Sequence, residues 1–210
     1  MLKNIGYIAL LVFVFSQAQA QKIMEKSWDA SSIEHFEIIS DEVYRITIIS
    51  KATNRIYVRT KVEGEHSENV AVLVSEENKT LSLSSDFTPF FIMKNDKLAA
   101  HKVISIEMEI IIPYDMEVWV KGAIASVETV GAFRKIQLDL RNGNCVLNNF
   151  KGNAQLNSRN GNITVFARET GVFEVKSRTG SIKNELPNTG RFLIKAESVN
   201  GDITLLKSQK

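Results

Sequence analysis

Apolar and polar positions alternate along the last third of this chain in a pattern that returns every 18 to 21 residues. Four units carry it: Leu140-Arg141-Asn142-Gly143-Asn144, Ser158-Arg159-Asn160-Gly161-Asn162, Ser177-Arg178-Thr179-Gly180-Ser181 and Ser198-Val199-Asn200-Gly201-Asp202. Aligned on their glycines, the units form columns. Two residues after the glycine lie Cys145, Ile163, Ile182 and Ile203; five before it lie Leu138, Leu156, Val175 and Ala196; seven before it lie Ile136, Ala154, Phe173 and Ile194. Between them fall Asn144, Thr164, Lys183 and Asp202, and Gln137, Gln155, Glu174 and Lys195. A two-residue alternation of this kind is that of strands with one face buried and the other in water.

Self-similarity at this period predicts an all-β chain whose C-terminal part is a parallel β-solenoid of about four coils, each of two short strands. One coil cannot bury its own apolar stripe, so the coils stack about 4.8 Å apart. The repeated glycines are expected at chain reversals with positive φ, which glycine adopts without a Cβ penalty. Gly152, Gly171 and Gly190 mark the opposite turns. The first coil is expected at Ala125-Ser126-Val127, where alanine stands for glycine.

Residues 21–113 read as antiparallel strands that cap the solenoid, which occupies 114–210. Val43 to Ile49, Arg55 to Val62, Val70 to Val74 and Thr80 to Leu83 have β-branched or alternating character with turn residues between them. A long strand from Lys102 to Ile112, ended by Pro113, is expected to lead into the first coil and cover its edge. The two regions are expected to form one continuous β unit.

The amino terminus adds a destination. Lys3 precedes an apolar run from Tyr7 to Phe15 and a small-x-small site at Ala18-Gln19-Ala20, the arrangement of a secretory signal peptide over 1–20, cleaved between Ala20 and Gln21. The expected location is the periplasm, the cell surface or the medium, with no stable membrane span after cleavage. Without its leader the chain carries 25 Lys+Arg against 24 Asp+Glu. That balance argues against nucleic acid as a partner. The single cysteine, Cys145, excludes an internal disulfide and shares its column with isoleucines, so it reads as core.

The segment Pro113-Tyr114-Asp115-Met116-Glu117-Val118, followed by Gly161-Asn162-Ile163, Gly180-Ser181-Ile182 and Gly201-Asp202-Ile203, resembles the bacterial putative-adhesin family over about residues 100 to 206. The resemblance implies an exported β-solenoid with a binding role.

Three candidate binding features stand out. Arg141, Arg159 and Arg178 share one column and would form a row of guanidiniums, matched to phosphate, carboxylate or sulfate groups, unless Asp139, Glu169 and Glu197 neutralise them. Phe87, Phe90 and Phe91 crowd a loop-like stretch that either docks on a partner or folds back over the core. Trp119 has outward parity and offers a stacking platform for a sugar, or else packs beneath the N-terminal strands. No catalytic constellation, cofactor motif or metal-ligand spacing appears: His35, His66 and His101 are far apart. The expectation is a non-enzymatic adhesin-like protein that binds an envelope glycan or protein through its repeated polar face. A periplasmic protein of envelope homeostasis or regulation that binds another protein is the alternative, and a polysaccharide-degrading enzyme ranks last. The sequence leaves the oligomeric state open.

Overall fold

The structure, a computed structural model, describes residues 21–64, 67–88, 104–169 and 171–209. The expected leader therefore lies outside the described residues, and Gln21 is the first of them. Among the described residues there is no α-helix, only a short 3-10 turn at Ser67–Asn69. No helix among them is long and apolar enough to cross a membrane.

The fifteen strands of the described residues belong to one curled sheet whose two halves enclose a single apolar core. The chain supplies β1 (Lys22–Asp29), β2 (His35–Ser40), β3 (Val43–Lys51), β4 (Arg55–Glu63), β5 (Val70–Glu77), β6 (Thr80–Phe87), β7 (Ser105–Pro113) and β8 (Glu117–Gly122). It continues with the long β9 (Ser126–Leu140) and β10 (Cys145–Ser158), then β11 (Ile163–Ala167), β12 (Gly171–Ser177), β13 (Ile182–Asn184), β14 (Phe192–Ser198) and β15 (Ile203–Lys207). One half runs β1-β4-β7-β3-β9-β10-β11-β15-β13, and the other β5-β6-β2-β8-β9-β10-β14-β12. β9 and β10 appear in both because each bends partway. In β10 the burial alternation breaks at Asn148 and Asn149, where Asn149 has a φ of 48° and the pairing with β9 shifts register. A bulge of this kind bends a strand and turns it out of its sheet.

The inward columns hold. Leu138, Leu156, Ala196, Ile136, Ala154, Phe173 and Ile194 are buried, as are Cys145, Ile163 and Ile203, while Val175 is half-buried and Ile182 exposed. Ala125 is buried and immediately precedes β9. Burial also pushes the Cys145 thiol up to about 12, so it stays a neutral core side chain at physiological pH.

The stacking order of the repeat units differs from the order in the sequence. β11 pairs with β15, and only then does β13 follow, so the unit around Gly201 lies between those around Gly161 and Gly180. The corner side chains fit this order. Asn160 Nδ2 donates to Asn142 Oδ1 and Asn200 Nδ2 donates to Asn160 Oδ1, both at 2.7 Å. An amide donates with one atom and accepts with the other, so it passes the ladder on. Thr179 donates to Val199 O and Asn200 Oδ1, and Ser181 to Asp202 Oδ1, which leaves the unit with short hydroxyls at the end of the stack.

Two further expectations are corrected. Gly143, Gly161, Gly180 and Gly201 lack positive φ, which among the described glycines belongs to Gly64, Gly131, Gly152 and Gly190. Glycine is needed at the repeat for close approach instead: a Cβ on Gly161 would overlap the Gly143 carbonyl, and one on Gly201 the Gly161 carbonyl. The N-terminal region is mixed and not purely antiparallel. β1, β4 and β7 pair antiparallel, as do β5 and β6, but β2 lies parallel between β6 and β8, and β3 parallel between β7 and β9. It is β3, not the strand ending at Pro113, that covers the first repeat. β2 and β3 thereby act as one more corner-joined pair, equivalent in position to β8 and β9.

Candidate functional site

Along β8, β9, β10, β14 and β12, the outward residues nearest the corner are Lys121, Asp139, Asn157, Glu197 and Lys176, in register across the strands. Two residues later in the last four lie Arg141, Arg159, Val199 and Arg178. Together with Asp41 and the corner backbone they line a groove of roughly 720 Å³. It carries five cationic side chains against three acidic ones.

Asp139, on the second of these five strands, is held by three donors. Its Oδ2 accepts hydrogen bonds from Trp119 Nε1 and Gln137 Nε2, both at 3.0 Å, and its Oδ1 accepts one from Asn157 Nδ2 at 2.6 Å. Partial burial pushes the carboxyl pKa up, but the bonds from Asn157, Gln137 and Trp119 and the nearby Lys121 ammonium outweigh it, and the net pKa lies below the ordinary 3.8. The group is thus ionised at neutral pH. A depressed folded pKa gives stability that is present above the unfolded pKa and lost as pH falls through the folded one. In a Trp28→Phe background, Trp119 fluorescence should therefore stay constant as pH falls to about 4 and change only below that. The Asp139→Asn variant should lack the transition, and its persistence there would assign the titration to another group.

The structure brings Arg141, Arg159 and Arg178 to one groove but not into an unbroken row. Arg141 and Arg159 are on neighbouring strands, and Val199 separates Arg159 from Arg178 because the last two units exchange places. The expected neutralising partners are engaged elsewhere or stand apart. Glu169 pairs with Lys151 and Arg191, Asp139 takes its three neutral donors, and Glu197 forms no ion pair among the described residues. Among the described residues, these three guanidiniums make neither an ion pair nor a hydrogen bond. The other six arginines of the chain all do. Arg45, Arg59, Arg134 and Arg191 meet carboxylates, Arg55 donates to Ser27 and Arg168 to Asn149.

The remaining candidates divide. Trp119 faces outward, 38% exposed, so packing beneath the N-terminal strands is corrected: its ring stands in the outward row between Glu37 and Gln137. Phe87 ends β6, half-buried against the core, while Phe90 and Phe91 lie outside the described residues. Among the described residues, no group of three or more His, Cys, Asp or Glu is placed to hold a metal ion. Sequence reasoning missed Lys121, Asp139, Asn157, Lys176 and Glu197 as a site. The signal was present, since they occupy a single column four residues before the repeat glycine or its alanine stand-in.

This geometry defines a class: an all-β protein built by stacking corner-joined strand pairs, with a polar outer face and a cationic corner groove. Residues 117–210 match the model of the Toastrack DUF4097 family, and the resemblance to the putative-adhesin family holds over that stretch. No curated protein matches the chain. Among solved structures, one described as a putative cell adhesion protein of Clostridium sporogenes superposes with a TM-score of 0.65 at 12% identity, covering 90% of this chain and 100% of that one. A putative adhesin of Bacteroides fragilis gives a TM-score of 0.39 at 14% identity, covering 90% of this chain and 99% of that one. The first of these supports the fold.

Proposed function

We propose that this chain is an exported, non-enzymatic, adhesin-like protein that binds a partner in the cell envelope or at the cell surface through its polar outer face and corner groove. In this reading the stacked C-terminal units are a short solenoid whose rigidity fixes the groove. The observation that carries the proposal is the contrast among the arginines: the six outside the groove are partnered, whereas the three inside it have no partner among the described residues. Guanidiniums present planar forked donors that match anionic groups, so a groove that leaves three of them unengaged suits an anionic partner. Asp139 itself is unsuited to act as a proton donor, since its carboxylate is held by three donors and kept ionised. The leader pattern supports export.

Two measurements test this. Purified protein should bind intact cells or isolated envelope at micromolar concentration, and no binding to either counts against adhesion. Protease shaving of intact native cells, with a periplasmic control protein, locates the chain. Digestion with the control spared fits surface display, whereas protection until the outer membrane is opened fits a periplasmic partner.

A further inference from the structure

Resting on that partner-binding reading, we infer that the corner groove holds a linear acidic polysaccharide lengthwise, along the direction in which the strands stack. The groove crosses five strands, four intervals of about 4.8 Å, and so extends about 19 Å. Its cations follow the same ruler. Arg141 and Arg159 stand one interval apart, about 4.8 Å, and Arg159 and Arg178 two intervals apart, about 10 Å, because Val199 occupies the place between.

That spacing selects the ligand. Double-stranded DNA carries one negative charge per about 1.7 Å of its axis, far denser than this array. Its phosphates would also be set against Asp139 and Glu197, which share the groove floor with Lys121 and Lys176. A polymer with a carboxylate, sulfate or phosphate on each sugar or every second sugar, and hydroxyls between, satisfies both kinds of group. Its anions meet the arginine forks while its hydroxyls donate to the Asp139 and Glu197 carboxylates and meet the Asn157 amide. Trp119, bonded through its indole N–H to Asp139, borders the floor and offers an exposed ring beside it.

The test uses the purified protein with four defined polymers: polygalacturonate, dextran sulfate, neutral dextran and a DNA duplex. Affinity is read by calorimetry and by Trp119 fluorescence in the Trp28→Phe background. The expected result is saturable binding of at least one acidic polysaccharide, weaker as salt rises. Arg141→Gln, Arg159→Gln and Arg178→Gln should each weaken it about tenfold, the loss expected for one charge-assisted contact. Arg55→Gln and Arg134→Gln, outside the groove, should leave it unchanged. Since the three groove arginines have no side-chain partner among the described residues, circular dichroism and melting should show all three variants folded. The inference is overturned if neither acidic polymer binds, if neutral dextran or the duplex binds as tightly, or if groove and control variants behave alike. Failure of the adhesion reading is separable. Cells bound equally well by wild type and groove variants would sink the groove inference alone, whereas polygalacturonate bound through the groove without any cell binding would sink adhesion alone.

Discussion

Gly161→Ala is expected to destabilise the fold by about 3 kcal/mol or more, which for a chain of this size lowers Tm by roughly 6 to 12 °C. A methyl at this position would overlap the Gly143 carbonyl oxygen and crowd Ser158 Oγ at 2.8 Å. Neither neighbour can give way cheaply. Ser158 Oγ is donating to that same Gly143 carbonyl at 3.0 Å, and the corner backbone on both sides is tied by Cys145 N to Asn162 O and by Asn162 N to Asn144 Oδ1, each at 2.9 Å. Accommodation means prising two strands apart at a corner held by these three hydrogen bonds. Gly122→Ala supplies the contrast, because there an added methyl meets Ala125 Cβ and Ser40 O at 3.1 Å, a misfit that a small shift absorbs. Its cost should stay under about 1 kcal/mol. Thermal unfolding of the two variants measures the difference, and equal melting points would remove the close-approach explanation for the repeat glycines.

The second large effect separates two isoleucines of one repeat column. Ile203→Ala should cost about 3 kcal/mol, since Ile203 is fully buried between Ile163 and Ile182 and its truncation leaves a cavity in the core. Ile182→Ala should cost under about 1 kcal/mol, because Ile182 is 48% exposed on the outermost strand. If the units stacked in sequence order, Ile182 would be the inner residue and Ile203 the terminal one, and the ranking would invert. Chemical denaturation of the two variants therefore reads the order of the stack directly.

Much of the site was visible in the repeat and some of its chemistry was not. The arginine column could be read because Arg141, Arg159 and Arg178 share a position relative to their glycines. Whether acids neutralise them could not, since partners depend on which strands become neighbours. Trp119 had readable parity, yet its bond to Asp139 needed the pairing of β8 with β9. The repeat puts the glycines at the corners but hides why glycine is needed there, because a close approach between strands leaves no mark in a single strand's sequence.

The order of residues along the chain dictates the local alternation. The spacing of Leu138, Leu156, Ala196 and their neighbours puts apolar groups on one face of each strand, and burial of that face follows whatever the strand pairs with. Adjacency is set in the folded chain: β3 and β2 insert parallel beside the repeats, the last two units exchange places, and Val199 comes to lie between two arginines. Units with interchangeable apolar columns can satisfy the core in several orders. The choice among those orders falls to contacts between units, such as amide ladders that Asn142, Asn160 and Asn200 extend and Thr179 ends, and these exist only once the strands have met.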